Sequence, residues 1–226
     1  MSGDFRSPGW LARHPVVGTL MFIIGGLIFA VLAYEVRTKG SLLQWDVPLA
    51  AQAHATALRE PASITEILTF GFFLGKEMTE IIGAILVIYF LYKRLWPELG
   101  MVLIGWSGAA LLWIFLTRFF DRMRPEAQMG IVVHDPSFPS GHTTQAVLCF
   151  GMLAYFLIPR MPSVFWKWVI ALAAIATMVF IGYSRFMQGG HYFTDLIAGY
   201  ALGIAWAGLI YTWMDSYVNR RRGTRG

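Results

Sequence analysis

The chain has 226 residues, 57% of them hydrophobic and 14% charged, with a mean hydropathy of +0.57 and a formal net charge of +5. Soluble domains average about 45–50% apolar and about 25% charged residues, so this balance excludes an ordinary soluble domain and points to a membrane protein. Nucleic acid is excluded as the reason for the positive charge, because Arg220, Arg221 and Arg222 form one terminal cluster and most other basic residues flank apolar runs.

Six apolar runs, at roughly 16–34, 67–92, 99–119, 143–158, 164–183 and 193–213, each approach the ~20 residues that cross a bilayer. The expected fold is therefore all-α, a six-span transmembrane helical bundle forming one domain over residues 1–226, with a core at about 60–213. The first run follows Arg6 and Arg13 but exceeds the ~7–15 residues of a signal core, and Val31-Leu32-Ala33 is a weak cleavage site, so it reads as an uncleaved N-terminal anchor. The lone cysteine, Cys149, has no partner for an internal disulfide.

Orientation follows from the short connections. Arg6, Arg13, Lys93, Arg94, Arg160, Lys167 and the 220–225 tail share one side, which the positive-inside rule makes cytoplasmic, with both termini. The expected location is a plasma membrane such as the bacterial inner membrane, with the tail touching anionic lipid. Segments 35–63, 118–140 and 184–191 then face the periplasm or exterior, yet they carry Arg118, Arg122, Arg124 and Arg185. Arginine on that side, at the ends of three different spans, calls for a local partner.

A phosphate is the partner these residues suit. Guanidinium groups match phosphate oxygens in a bidentate way and stay charged at any relevant pH, which makes Arg124 and Arg185 phosphate ligands. Ser140 and Gly141 precede the fourth run, where free N–H groups and the positive helix end favour an anion. Gly141 permits close backbone approach, and the Ser140 hydroxyl can donate as well.

Histidine supplies the chemistry. His191 and Asp195 are four residues apart at the start of the sixth run, so a helix would set them on one face. A carboxylate on one ring nitrogen leaves the other as nucleophile or base. His142 then serves as proton donor to a leaving oxygen, if folding joins the two helix starts. This set fits metal-free phosphoryl transfer through a phosphohistidine, with no cofactor. Two histidines and a carboxylate could also bind iron or zinc, but the arginines would repel a cation.

These residues resemble a known family. Arg124-Pro125, then Pro139-Ser140-Gly141-His142, then Ser184-Arg185 with five residues before His191 and three more before Asp195, are similar to the three signature motifs of the type 2 phosphatidic acid phosphatase family. That family includes integral-membrane lipid phosphatases and is related to vanadium haloperoxidases. The resemblance implies His191 as nucleophile, Asp195 as its orienter and His142 as general acid. It also implies Arg124, Ser140, Gly141 and Arg185 as phosphate ligands, and a lipid phosphate as substrate at the non-cytoplasmic face.

The first motif departs from the family pattern. Where the family has lysine, six residues and then Arg-Pro, this chain has Thr117 in the lysine position. Arg118 stands beside it, about 100° round a helix, and is the expected substitute cation; Arg122 lies on the same segment. Lys76, Glu77 and Glu80 fall in or near the apolar zone, where ionisable residues face a cavity or one another. They read as a Lys76–Glu80 pair or as the border of a lipid headgroup pocket. His14, His54 and His134 read as loop residues, and the tryptophans and tyrosines as interfacial belt and bundle packing. Besides a lipid phosphate phosphatase, the residues admit a phosphotransferase that uses the same histidine, and a transporter whose charges line a path.

Overall fold

The computed structural model of the protein describes residues 15–125 and 135–223, and every regular element among them is helical. Arg6, Arg13, His14, His134 and Arg225 lie outside the described residues. The long first helix, α1 (Pro15–Thr38), leads through a 3₁₀ turn at Ser41–Trp45 into α2 (Asp46–Ala57). Next come α3 (Ala62–Phe73), a π-helical turn at Leu74–Met78, and α4 (Thr79–Tyr92). The remainder is α5 (Trp96–Phe120), α6 (Gly141–Leu157), a 3₁₀ turn at Ile158–Arg160, α7 (Val164–Met187) and α8 (Phe193–Gly223).

Local chemistry sets several boundaries. Pro97 sits in the first turn of α5, where its missing N–H costs nothing. The helix ends at Asp121, which adopts the left-handed conformation (φ 45°, ψ 43°) that Asp tolerates better than most residues. Its N–H closes the last turn on the Thr117 carbonyl. Ser163 starts α7 by accepting from the Trp166 N–H.

Among the described residues, five helices are long and apolar enough to cross a membrane: Val16–Thr38, Trp96–Phe120, Gly141–Arg160, Val164–Met187 and Phe193–Trp213. The run expected at 67–92 is helical from Ala62 to Tyr92 but is broken by the π turn, so neither half alone reaches spanning length. The last helix continues to Gly223, well beyond the expected end near 213. Segment 35–63, expected as a loop, contains α2, and His54 lies on that helix rather than in a loop. Its small residues explain the fold: Ala50, Ala53 and Ala57 recur on one face, and Ala53 and Ala57 pack with Leu68 of α3 and Met187 of α7.

The central helix is α8, packed by α1, α5 and α6, while α7 leans on α6 and on α2 and α3. Close approach of α1 to α8 depends on glycine, since a Cβ at Gly208 would fall 2.5 Å from the Gly18 carbonyl oxygen. One apolar cluster joins α4, α5, α6 and α8 through Phe90, Val102, Leu148, Met152 and Ile210. In lipid such contacts act by close packing rather than by removal from water. The outward faces stay apolar: Phe165, Trp168, Leu172, Ile175 and Val179 of α7 are all exposed. So large an apolar surface is what a bilayer covers.

Candidate active site

The three motif segments meet at one end of the bundle, where α5 and α7 end and α6 and α8 begin. Two threonines sew α6 to α8. Thr143 donates to the Leu196 carbonyl (3.1 Å) and Thr144 to the Gly199 carbonyl (3.1 Å), while both hydroxyls also reach the Ser140 carbonyl. Gly199 makes this possible, because a Cβ there would lie 2.1 Å from Thr143 Oγ1. The Ser140 N–H donates to the Asp195 carbonyl at 3.0 Å, so the two helix starts are tied directly. From α5, Trp113 Nε1 donates to the Pro139 carbonyl at 3.0 Å.

The His142 and His191 rings stand with centroids 6.0 Å apart. His191 is 1% exposed, and its Nδ1 lies 2.9 Å from the Ser137 carbonyl oxygen. A carbonyl only accepts, so Nδ1 carries the proton and Nε2 holds the free lone pair. Arg124 Nη1 stands 3.2 Å from that Nε2 and also donates to the Gly190 carbonyl at 2.6 Å. Burial, with the Arg124 and Arg185 charges, holds the His191 imidazole well below its ordinary value of 6.5, against the opposing pull of the Ser137 carbonyl. Burial likewise lowers Arg124, partly offset by Asp195 and Asp135.

Asp195 stands differently from the expected orienter on a shared helical face. Because α8 starts at Phe193, His191 precedes the helix, and Asp195 Oδ2 lies 3.9 Å from His191 Nδ1. That oxygen accepts the Tyr192 N–H at 2.9 Å, while Oδ1 receives Arg122 at 2.6 Å. The direct partner of Nδ1 is the Ser137 carbonyl, a backbone group that no side-chain pattern could have signalled.

Around the histidine pair, Ser140 Oγ, His142 Nε2 and Arg185 Nε are buried and have no hydrogen-bond partner among the described residues. Ser140 is fully buried, yet as the N-cap of α6 its hydroxyl makes no capping bond. Arg185 is 6% exposed, stacks over the Phe72 ring at 4.7 Å and donates through Nη1 to Gln188. Gly141 opens α6 against the Trp113 ring.

The neighbourhood of the missing lysine is arranged around Thr117 rather than Arg118. Thr117 is buried, with its hydroxyl returned to the carbonyls of Trp113 and Ile114, whereas Arg118, the next residue round the helix, is exposed. The cations acting on His191 are Arg124, Arg185 and Arg122. Lys76 sits on the π turn, next to Gly75, which backs onto the His142 ring, and its charge acts on His142. Glu80 lies elsewhere, lining a groove of about 330 Å³ between α4 and α5 with Gly83, Val87, Val102 and Trp106. Among the described residues, no group of three or more His, Cys, Asp or Glu side chains is placed to hold a metal ion.

Sequence reasoning missed Ser137, Trp113, Thr143 and Thr144, and it gave Asp46 no role. Asp46 was open to discovery as an acid in an outer segment facing four unpaired arginines.

An all-helical bundle with apolar outer faces and a buried cationic two-histidine cluster at one end defines an integral-membrane protein with a site suited to an anion. The chain belongs to the PAP2 superfamily, whose sequence model matches residues 110–218. It is 31% identical over 187 residues to phosphatidylglycerophosphatase B of Bacillus subtilis, covering 79% of this chain and 87% of that protein. It is also 31% identical over 195 residues to lipid A 1-phosphatase of Rhizobium etli, covering 75% and 77%. The crystal structure of the transmembrane PAP2-type phosphatidylglycerolphosphate phosphatase from Bacillus subtilis superposes with a TM-score of 0.71 at 27% identity, covering 84% of this chain and 94% of that one.

Proposed function

We propose that the protein is a membrane lipid phosphate phosphatase that hydrolyses a phosphomonoester or pyrophosphate headgroup through a phosphohistidine on His191. The observation that carries this reading is the set of buried polar atoms without a hydrogen-bond partner among the described residues, Ser140 Oγ, His142 Nε2 and Arg185 Nε, gathered beside a histidine whose unprotonated Nε2 faces Arg124 Nη1 at 3.2 Å. Two come from the Pro-Ser-Gly-His segment and the third from Ser184-Arg185, and each suits a phosphate oxygen or the oxygen leaving it.

In the first step the Nε2 lone pair forms a bond to phosphorus in line with the lipid oxygen. That phosphorus–oxygen bond breaks as His142 delivers a proton to the leaving oxygen. Arg124, Arg185, Ser140 and the N–H groups opening α6 at Gly141 hold the phosphoryl oxygens, where positioning and charge do most of the work. In the second step His142 takes a proton from water, the water oxygen attacks phosphorus, and the N–P bond breaks to release inorganic phosphate. Asp195 stabilises the positive charge that develops on the His191 ring. Lys76, whose charge acts on His142, is a further cation of the site in place of Arg118. No metal takes part.

The whole chain forms one domain with six crossings, the sixth being the α3–π–α4 rod. Its cleft opens on the non-cytoplasmic side, and both termini are cytoplasmic. Supporting this, the motif ends of four helices cluster together while Lys93, Arg94, Arg160 and Lys167 gather at the other helix ends. The relatives named for phosphatidylglycerophosphate and lipid A define the substrates to try first.

The deciding experiment is phosphate release by detergent-solubilised protein from phosphatidylglycerophosphate, phosphatidic acid, lipid A and undecaprenyl pyrophosphate, with EDTA present. Release from at least one, inhibited by vanadate, is expected. No release from any would sink the phosphatase reading, and activity restored only by a divalent ion would sink the metal-free mechanism. Products carrying the phosphate on a second lipid would identify a phosphotransferase.

A further inference from the structure

We propose that Asp46 and Arg122 are positioning residues for the reaction, a buried pair through which α2 sets the place and the charge of Asp195. The inference rests on the phosphatase reading above and adds residues to it. Asp46 lies outside the stretch that the PAP2 superfamily model matches.

The geometry is closed at every bond. Arg122 Nη2 donates to Asp46 Oδ2 at 2.7 Å, and Nη1 donates to Asp195 Oδ1 at 2.6 Å and to Thr194 Oγ1 at 2.8 Å. Thr194 gives its own hydroxyl proton to Asp46 Oδ2, and its N–H donates to Asp46 Oδ1 at 3.2 Å. Asp46 therefore caps the first turn of α8 from another helix, satisfying a donor that α8 cannot satisfy itself. The Arg122 guanidinium also lies over the Tyr192 ring at 4.3 Å. Asp46 is 2% exposed and Asp195 is fully buried, so neither carboxylate is stabilised by water.

Charge explains why two acids share one arginine. With Asp195 alone, Arg122 would cancel its charge, and the His191 ring would face a neutral pair. Asp46 draws on the same guanidinium, so the ionised trio carries one net negative charge, and its oxygen facing the ring, Asp195 Oδ2, lies 3.9 Å from His191 Nδ1. That surplus counts when Nε2 bonds to phosphorus and the ring becomes positive, and it counts little when substrate merely binds. The same bonds fix Asp195 in position, so that Nδ1 keeps the Ser137 carbonyl as its partner.

The test separates turnover from binding. Asp46→Asn keeps the shape of the pair and removes its charge; kcat on the best lipid phosphate should fall about 10- to 100-fold, as for a displaced reacting group. KM, and the Ki of inorganic phosphate, should stay within about twofold, because phosphate ligands are untouched. The Asp46→Asn/Arg122→Gln double variant should be no slower than Arg122→Gln, since residues acting as one unit are not additive. An Asp46→Asn enzyme with wild-type kcat, or one whose loss lies in KM and Ki, overturns the proposal. If Asp46→Asn is not recovered folded, Thr194→Val reads the same link, with an expected severalfold fall in kcat; an unchanged kcat overturns the proposal. Wild-type protein inactive on every lipid phosphate overturns the phosphatase reading and this proposal with it, whereas an active wild type beside an unaffected Asp46→Asn overturns this proposal alone.

Discussion

Arg122, Arg124 and Arg185 reach partners from several elements, whereas Lys76, Glu77 and Glu80 all belong to one helical rod. Arg122 joins α2 to α8, Arg124 donates to three backbone carbonyls, and Arg185 is sandwiched between Phe72 and Gly190. On the rod, Lys76 and Glu80 are exposed, and Glu77 Oε2 is buried without a hydrogen-bond partner among the described residues. Both groups sit among apolar helices, but only the first is held by contacts from distant parts of the chain, hydrogen bonds for Arg122 and Arg124 and the Phe72 ring for Arg185. A charge held from several directions keeps its geometry when substrate arrives, and that preorganisation is what phosphoryl transfer uses. A charge on one helix can shift with its side chain, so it suits the mouth of a site better than its floor.

The largest test of this contrast is His191→Ala, which should lower kcat by about 10⁴-fold or more if His191 attacks phosphorus as proposed. Residual phosphate release above that level would point to direct attack by water. Next, His142→Ala should cost on the order of 10²–10⁴-fold in kcat. The loss should shrink with a nitrophenyl phosphate, whose leaving group departs without a proton. An equal loss on both substrates would take His142 out of the general-acid role.

On the floor of the site, pH should act through His191. Burial and the Arg124, Arg185 and Arg122 charges keep it neutral where an ordinary histidine is already protonated. The acid limb of kcat/KM should therefore lie below about pH 6.5, and Arg124→Gln should move it upward. An acid limb at or above that value in the wild type would contradict the geometry. The same shift has a stability sign. Below about pH 6.5 the unfolded chain takes up a proton that folded His191 refuses, so stability falls as pH drops through that range. At the rim, Lys76→Ala should cost about 10- to 100-fold in kcat/KM, as one lost charged donor does, with Arg118→Ala within about twofold. The reverse ranking, on protein of equal yield, would make Arg118 the further cation.

Sequence alone determined the class, because a bilayer tolerates few charges and the apolar runs near 20 residues could be read directly. It also determined which residues to watch. Arginine, histidine and the Pro-Ser-Gly-His stretch stood out against apolar neighbours, and their spacing carried the family resemblance. Helical phase went half the way at positions 117 and 118: it showed that neighbours point about 100° apart, but not which one faces inward. That depended on how α5 packs, with Trp113 bonded to Pro139 and Thr117 buried. The tautomer of His191 was likewise a tertiary matter, because the Ser137 carbonyl lies 54 residues away. So was the role of Asp46, whose partners Thr194 and Arg122 are 148 and 76 residues distant. Pattern reports on neighbours in the chain, while the closing bonds of this site join groups that only the packing of α2, α5, α6 and α8 brings within reach.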